Sequence, residues 1–422
     1  MPGNIARGVG AAVATVAVTA AVVAAGTGAM VVYRSGTAGS PPSRQSGYAA
    51  PRATPTADAL TVAPSSSAWI DSTPSPSPAA PATTRPADTR LSVRGPFRCP
   101  AVNSLTVKQA LMQTLLIGVS GANTTGPSGL TDGPTPVGGI VVYDSSGLTA
   151  FRSGVLKRIA GQSPPPLVAV DDEGGRVQRV EALFGQLPSA QQQDRMDPAK
   201  LRTLAAQRAR QLASVGVTLN LAPVLDLAGP TPGDRAYGSS PADVTAHAGA
   251  FAAGMRDAGV LPAFTHFPGY GHLTGDPEHG IAQTPPLSAL RASDLVPFRD
   301  LATAGPSAVV VGNVYVPGVS SRAGLPATLD PAVYTFLRSD LGFRGLVITS
   351  ELSQQDAIQR QYGTSKATVA ALAAGADLVM LYHPGYLENL LADLSAAVAS
   401  GQLPEARVRA AAAHVLAAKG CR

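Results

Sequence analysis

Short apolar segments recur along the chain from about residue 100, and longer stretches separate them. Each segment is continuously apolar rather than alternating, as expected for strands that are buried on both faces. Two of the intervening stretches, residues 205–216 and 242–259, show the three-to-four spacing of helices and end in glycine. The pattern therefore predicts eight strands, at residues 115–119, 139–143, 167–171, 218–224, 261–267, 308–314, 345–350 and 377–382.

Strands that alternate with helices predict a parallel sheet, and eight such units over about 320 residues fit a single (β/α)8 TIM barrel, an α/β fold. A doubly wound open sheet is the alternative fold. That fold would carry a glycine-rich phosphate loop after its first strand, and residues 118–129 match such a loop only loosely. In a barrel, site residues lie just past the C-terminal ends of the strands, where this sequence places many polar residues.

The region before the barrel has two distinct compositions. No charged residue lies between Arg7 and Arg34, and this apolar stretch is long enough to span a bilayer as a helix. We expect residues 1–34 to be either a cleaved signal peptide or an uncleaved membrane anchor. Residues 35–97 are rich in Pro, Ser, Thr and Ala, which predicts a disordered stalk. The barrel domain, residues 98–422, is then exported, and we expect it outside the cell or at its surface.

Cysteine use and charge narrow the class of protein further. Cys99 and Cys421 are the two cysteines of the chain, and they flank the predicted barrel. An even pair in an exported protein usually oxidises, so we predict a disulfide, with two buried free thiols as the alternative. The net charge is +5, but the basic residues are scattered, which gives little support to nucleic-acid binding.

Two polar motifs directly follow predicted strands. Residues 170–179, VDDEGGRVQR, place Asp171, Arg176 and Arg179 around a two-glycine turn. A carboxylate and guanidinium groups suit hydroxyl-rich ligands because they form directional charge-assisted hydrogen bonds; a structural salt-bridged turn is the alternative. Residues 265–279, THFPGYGHLTGDPEH, are typical of an acid/base loop or a metal site, although the histidine spacing matches no usual zinc pattern.

Together these segments resemble the β-N-acetylglucosaminidases of glycoside hydrolase family 3. The resemblance runs in the family's order from about residue 100 to 420, and it rests on residues 171–179, 220–226, 234–238, 265–271, 325–331 and 341–352. It implies that the chain binds a cell-wall-derived glycan through its terminal N-acetylglucosamine, without a metal or organic cofactor. The residues that it implies for sugar contact are Asp171, Arg179, Arg235 and His266.

The resemblance also implies a nucleophilic aspartate and an acid/base histidine, and here the sequence departs from the family. Ser350 falls at the nucleophile position, whereas a retaining glycosidase needs a carboxylate to attack the anomeric carbon. The acid/base loop is one residue longer, which leaves Asp276 with His279, or Glu278, as candidates. Thr265 stands in place of a sugar-binding lysine, and Asn313 in place of the histidine of the sixth strand.

Three hypotheses follow from these departures. The first is a cell-envelope protein that recognises N-acetylglucosamine-containing glycans with impaired or lost hydrolysis, a pseudoenzyme. The second is an active β-N-acetylhexosaminidase that uses Glu351 as a displaced nucleophile, although successive side chains of a strand point to opposite faces. The third is a surface scaffold that binds no sugar. We expect a monomer that contacts a membrane only through an uncleaved N-terminal segment.

Overall fold

The computed structural model describes residues 100–277 and 279–421 of the chain. The predicted export segment and stalk, at residues 1–34 and 35–97, lie outside these ranges. Cys99 and Glu278 lie outside them as well, so the Cys99–Cys421 disulfide and the role of Glu278 stay predictions. Within the described ranges, no helix combines the length and apolarity needed to cross a membrane.

The strands form one large parallel sheet and one small pair. They are β1 (Leu115–Val119), β2 (Gly139–Val142), β3 (Leu167–Val170), β4 (Leu219–Asn220), β5 (Leu261–Phe267), β6 (Ala282–Gln283), β7 (Ala308–Val311), β8 (Val314–Tyr315), β9 (Leu346–Thr349) and β10 (Val379–Leu381). The large sheet has the order β10-β1-β2-β3-β4-β5-β7-β9, and β6 pairs with β8. A parallel bridge between Ile348 and Leu378 links the two edge strands, so the eight strands make a nearly closed barrel and confirm the predicted architecture.

Helices follow the strands of the barrel. They are α1 (Val107–Gln113), α2 (Thr125–Thr131), α3 (Thr149–Arg152), α4 (Val155–Ala160), α5 (Glu181–Phe184), α6 (Ala190–Gln193), α7 (Pro198–Ser214), α8 (Pro241–Asp257), α9 (Leu287–Ala292), α10 (Leu295–Leu301), α11 (Pro331–Thr335), α12 (Asp356–Gln361), α13 (Gly363–Ala374), α14 (Leu387–Ala399) and α15 (Glu405–Ala418). The two longest, α7 and α8, contain the predicted helical stretches. Both begin at a proline after a capping side chain, Asp197 and Ser240, which accepts hydrogen bonds from the first turn.

The core has two apolar layers that the strands separate. On β2, Ile140 and Val142 pack outward against the helices, whereas Val141 packs inside the barrel. Leu116, Leu219 and other inward-facing side chains fill the barrel interior. Because this inner core is solid, a ligand site of the barrel lies above it, at the carboxyl ends of the strands.

Candidate functional site

A cavity of about 610 Å³ opens at the carboxyl ends of the strands. This volume is in the range of small-molecule sites. The sequence had predicted a site at these strand ends, and the structure brings its candidate residues together with several that were not singled out. The candidates that line the cavity are Asp171, Arg179, Arg235, Thr265, His266, Asp276, Asn313, Ser350 and Glu351.

The turn after β3 presents Asp171 to the cavity. Gly174 and Gly175 adopt φ angles of 103° and 60°, and a Cβ atom at Gly174 would lie 2.1 Å from the carbonyl oxygen of Pro188. Glycine is therefore required for this turn. At its end, Arg179 Nη2 donates to Asp171 Oδ2 over 3.0 Å. Both side chains line the cavity, so the turn is salt-bridged and also faces the cavity.

Buried partners hold this turn from behind. The backbone N–H of Asp172 donates to Asn220 Oδ1, and Asn220 Nδ2 donates to the carbonyl oxygen of Asp172, each over 2.9 Å. The Asp172 carboxylate points away from the cavity and lies 3.4 Å from Arg208 Nε, on α7. Burial raises the pKa of Asp172 to about 6 although Arg208 opposes the shift. Asn220, the last residue of β4, thus positions Asp171 through the neighbouring backbone.

A chain of four polar side chains crosses the cavity floor. Arg235 donates from Nε and Nη2 to the two carboxylate oxygens of Glu173, over 2.7 and 2.6 Å. Burial disfavours the charge of Arg235, but the Glu173 carboxylate outweighs this effect and raises the pKa of Arg235 above its usual value. His266 Nδ1 lies 2.8 Å from Asp226 Oδ2, and its Nε2 lies 3.4 Å from Arg235 Nη2. An Arg235 N–H directed at Nε2 places an acceptor at Nε2 and a proton on Nδ1, which faces Asp226.

The segment after β5 carries a tyrosine that sequence reasoning did not assign to the site. The Tyr270 ring stacks on His266 with the ring centroids 4.5 Å apart, and the Tyr270 hydroxyl accepts a hydrogen bond from the Asn313 backbone N–H over 3.1 Å. Burial raises the pKa of Tyr270 above its usual value, so the phenol keeps its proton. Thr265 directly precedes His266 in β5 and is buried. It contributes a neutral hydroxyl to the cavity wall.

Ser350 lies in the cavity directly after β9. Its backbone N–H donates to the carbonyl oxygen of Val311 over 2.7 Å, and its hydroxyl interacts with that of Tyr270. Asn313 is fixed nearby, since its Nδ2 donates to the Glu351 carbonyl oxygen over 3.0 Å and its Oδ1 accepts from Thr328 over 2.6 Å. The two partners of Ser350, the Val311 carbonyl and the Tyr270 hydroxyl, are both neutral groups.

The Glu351 carboxylate accepts hydrogen bonds from neighbouring residues on both of its oxygens. Its Oε1 accepts hydrogen bonds from the Ser353 N–H over 2.6 Å, from the Tyr382 N–H over 3.0 Å and from the Ser353 hydroxyl. Its Oε2 accepts from the Gln354 N–H over 2.7 Å. The side chain thereby ties the end of β9 to the end of β10. A carboxylate that is bound on both oxygens is poorly placed to attack a sugar.

The candidate acid/base pair lies at the mouth of the cavity. His279 Nδ1 is 2.7 Å from Asp276 Oδ2, and the His279 side chain is 77% exposed. Asp276 and Pro277 line the cavity, whereas His279 is not among the residues that form its wall. Arg360 Nη2, on α12, donates to the carbonyl oxygen of His279 over 3.3 Å. The aspartate–histidine pairing that the sequence predicted is thus formed, with the imidazole turned toward solvent.

Glu173, Tyr270 and Tyr382 line the cavity without having been predicted as site residues. A signal existed for each: Glu173 belongs to the glycine-rich motif, Tyr270 to the segment after β5, and Tyr382 directly follows the last strand. No group of three or more His, Cys, Asp or Glu side chains in the described part of the chain is arranged to hold a metal ion.

The barrel and the polar cavity at the carboxyl ends of its strands define a (β/α)8 protein with a cavity of small-molecule size. The model of the glycosyl hydrolase family 3 N-terminal domain matches residues 135–418, and the chain belongs to this family. Beta-hexosaminidase LpqI of Mycobacterium tuberculosis is 38% identical in an alignment of 376 positions that covers 86% of this chain and 95% of LpqI. A beta-hexosaminidase of Stenotrophomonas maltophilia is 34% identical over 291 residues, covering 66% of this chain and 85% of the relative.

Solved structures of the family superimpose on the barrel. A glycosyl hydrolase of the GH3 family from Mycobacterium smegmatis gives a TM-score of 0.71 at 40% sequence identity, covering 76% of this chain and 98% of that one. The beta-N-acetylhexosaminidase of Beutenbergia cavernae gives a TM-score of 0.66 at 27% identity, covering 75% and 99% of the two chains. The resemblance that the motifs indicated is therefore confirmed at the level of family and fold.

Proposed function

We propose that this beta-hexosaminidase-like protein of family 3 acts in the cell envelope. It recognises glycans that end in N-acetylglucosamine, as in peptidoglycan turnover, and its hydrolytic activity is impaired or lost. The names of its relatives, beta-hexosaminidase and beta-N-acetylhexosaminidase, support the sugar class. The predicted export segment supports the location.

One observation carries the loss of hydrolysis: the residue at the nucleophile position, Ser350, is a neutral hydroxyl in the cavity, and it contacts the Tyr270 hydroxyl. A retaining glycosidase uses a carboxylate there to form the glycosyl–enzyme bond and to stabilise the positive charge that develops on the sugar. Serine supplies neither a strong nucleophile nor a negative charge. The adjacent Glu351 carboxylate does not replace it, because four donors hold it at the rim of β9 and β10.

Sugar recognition is supported by the polar cavity residues other than Ser350 and Glu351. Asp171 accepts its two protein hydrogen bonds on Oδ2, from Arg179 and from the Tyr382 hydroxyl, which leaves Oδ1 to accept from a ligand. His266, with its proton on Nδ1, and Arg235 complete a set of fixed donors and acceptors. Such a set matches a ring that presents several hydroxyl groups.

Hydrolysis through Glu351 is the second candidate, and the retained Asp276–His279 pair favours it. In that mechanism the imidazole protonates the leaving oxygen while the Glu351 carboxylate attacks the anomeric carbon. Attack requires Glu351 to release the backbone N–H groups of Ser353, Gln354 and Tyr382.

Calorimetry with N-acetylglucosamine tests the proposed recognition. We expect binding by the native chain and a loss of affinity of at least about tenfold in Asp171→Asn, because the amide replaces an ionised acceptor. Asp144→Asn is the matched control, since Asp144 also follows a strand but bonds to Gly121 and Ser120 rather than lining the cavity. Absence of heat from the native chain would support the non-binding scaffold instead.

A further inference from the structure

Tyr382 stands at the carboxyl end of β10 and reaches across the mouth of the barrel. Its hydroxyl lies 3.4 Å from Asp171 Oδ2, the carboxylate to which we assign sugar binding. Both residues line the cavity. Burial, followed by the nearby Asp171 charge, raises the pKa of Tyr382 above its usual value. The phenol is therefore protonated, and its O–H donates to Asp171.

Three contacts fix the position of the Tyr382 ring. The ring stacks on Tyr143 with the centroids 5.1 Å apart and an interplanar angle of 20°. The Tyr382 backbone N–H donates to Glu351 Oε1 over 3.0 Å. The apolar part of the side chain packs on the inner core of the barrel. A ring that is held at its backbone, its face and its hydroxyl cannot turn aside easily when a ligand enters.

A glycine on the neighbouring strand makes this placement possible. A Cβ atom on Gly118, in β1, would lie 2.5 Å from Tyr382 Cα and 2.6 Å from its carbonyl oxygen. Real Cβ atoms essentially never approach other atoms this closely. The absence of a side chain at Gly118 therefore lets the backbone of residue 382 lie against β1, with the ring directed over the cavity.

We propose that Tyr382 is a specificity-determining residue, which closes the Asp171 end of the cavity so that only a sugar with an unsubstituted hydroxyl facing Asp171 is accepted. This inference rests on the proposed sugar recognition and assigns the selection among sugars with free and substituted hydroxyls to one side chain, Tyr382. A substituent on that hydroxyl would meet the Tyr382 ring. It would also remove the proton that the sugar donates to Asp171.

Calorimetry with N-acetylglucosamine and its mono-O-methyl ethers at the 3-, 4- and 6-hydroxyls tests the role of Tyr382. For the native chain we expect one ether to bind at least about tenfold more weakly than the parent sugar, the scale of one misplaced carbon in a fitted pocket. Tyr382→Ala and Tyr382→Leu should reduce this gap to less than about threefold, because they remove the ring. Tyr382→Leu retains apolar packing on the barrel core if the alanine variant fails to fold.

Two control variants separate the steric effect of the Tyr382 ring from the effects of its hydroxyl and of a neighbouring side chain. Tyr382→Phe keeps the ring and removes only the hydroxyl, so the gap between ether and parent sugar should persist. His383→Ala removes the exposed neighbouring ring, which contacts Tyr143 and does not line the cavity, and should also leave the gap unchanged.

The outcomes distinguish this inference from the proposed function. If all variants bind N-acetylglucosamine and the gap persists without the Tyr382 ring, the inference is wrong and the recognition of the sugar stands. If the ring-deletion variants bind sugar and the native chain does not, the native cavity is closed to N-acetylglucosamine, and both the inference and the proposed recognition by the native chain are wrong. If none of the proteins binds any of the sugars, both proposals fail together.

Discussion

Replacing Glu351 should damage folding rather than catalysis. Its carboxylate accepts hydrogen bonds from the backbone N–H groups of Ser353, Gln354 and Tyr382, and the side chain is buried. In Glu351→Ala these donors lose their partner. In Glu351→Gln one carboxylate oxygen becomes an NH2 group, which faces N–H donors and cannot accept from them.

The size of the effect follows from the number of donors left unpaired. An unsatisfied buried donor costs about 1–3 kcal/mol, and water reaches part of this site, so we expect Glu351→Ala to lose about 3–5 kcal/mol of the free energy of unfolding. At roughly 2 °C per kcal/mol for a large domain, the melting temperature should fall by roughly 6–10 °C. Glu351→Gln should lose about 1–3 kcal/mol, because one oxygen still accepts.

Differential scanning calorimetry beside a chromogenic N-acetylglucosaminide assay distinguishes the two roles. Glu388→Gln is the matched control, because Glu388 is an exposed glutamate in the first turn of α14, and its melting temperature should stay close to that of the native chain. Our reasoning would be refuted if Glu351→Gln melted like the native chain but abolished a turnover that the native chain possessed.

Two other substitutions test the packing of the barrel. Gly118→Ala should lower the melting temperature and shift the Tyr382 ring, because the new methyl group would lie 2.5 Å from Tyr382 Cα; scanning calorimetry and a crystal structure of the variant measure both effects. Lys419→Met should stabilise the chain more at pH 6 than at pH 9, by about 2.5 kcal/mol in denaturant titrations, since burial lowers the pKa of Lys419 from 10.5 to about 7.

The sign of the Lys419 effect follows from proton binding. Between about pH 7 and pH 10.5 the unfolded chain binds a proton at Lys419 that the folded chain does not, so stability rises with pH in this window. Replacement by Met removes this rise. A pH dependence that is equal in Lys419→Met and the native chain would contradict the assignment. For Gly118→Ala, an unchanged melting temperature with Tyr382 in its original position would contradict the close approach of β1 and β10.

The strands were predictable because each is a continuous apolar segment, but their ends were not. Residues 218–224 were predicted as one strand, whereas β4 ends at Asn220, since Pro223 has no N–H to donate to a ladder. Residues 377–382 shorten to Val379–Leu381 for a different reason. Asp377 turns into a buried ion-pair cluster and bonds to Arg338 and Arg407. For β10 the limit is set by side-chain partners from distant segments, which local sequence does not reveal, whereas Pro223 near the end of β4 is visible in the sequence.

In the candidate site, too, some features were predictable from the sequence and others were not. The position of Asp171, Arg235 and Ser350 at strand ends followed from the strand pattern and the motifs. The hydrogen bonding of Glu351 did not, because its partners include Tyr382, which directly follows the neighbouring strand and is 31 residues away. The contact between Tyr382 and Asp171 joins residues 211 positions apart. Only the closure of the barrel brings such pairs together.

Turnover of 4-nitrophenyl N-acetyl-β-D-glucosaminide by the native chain and by Ser350→Asp tests the central claim most directly. We predict no release of nitrophenol by the native chain above the rate in buffer, and measurable release by Ser350→Asp, because the variant regains a carboxylate at the nucleophile position. Release should disappear when His279→Ala is added, since the imidazole paired with Asp276 supplies the proton. Turnover by the native chain that equals or exceeds that of Ser350→Asp would contradict the account.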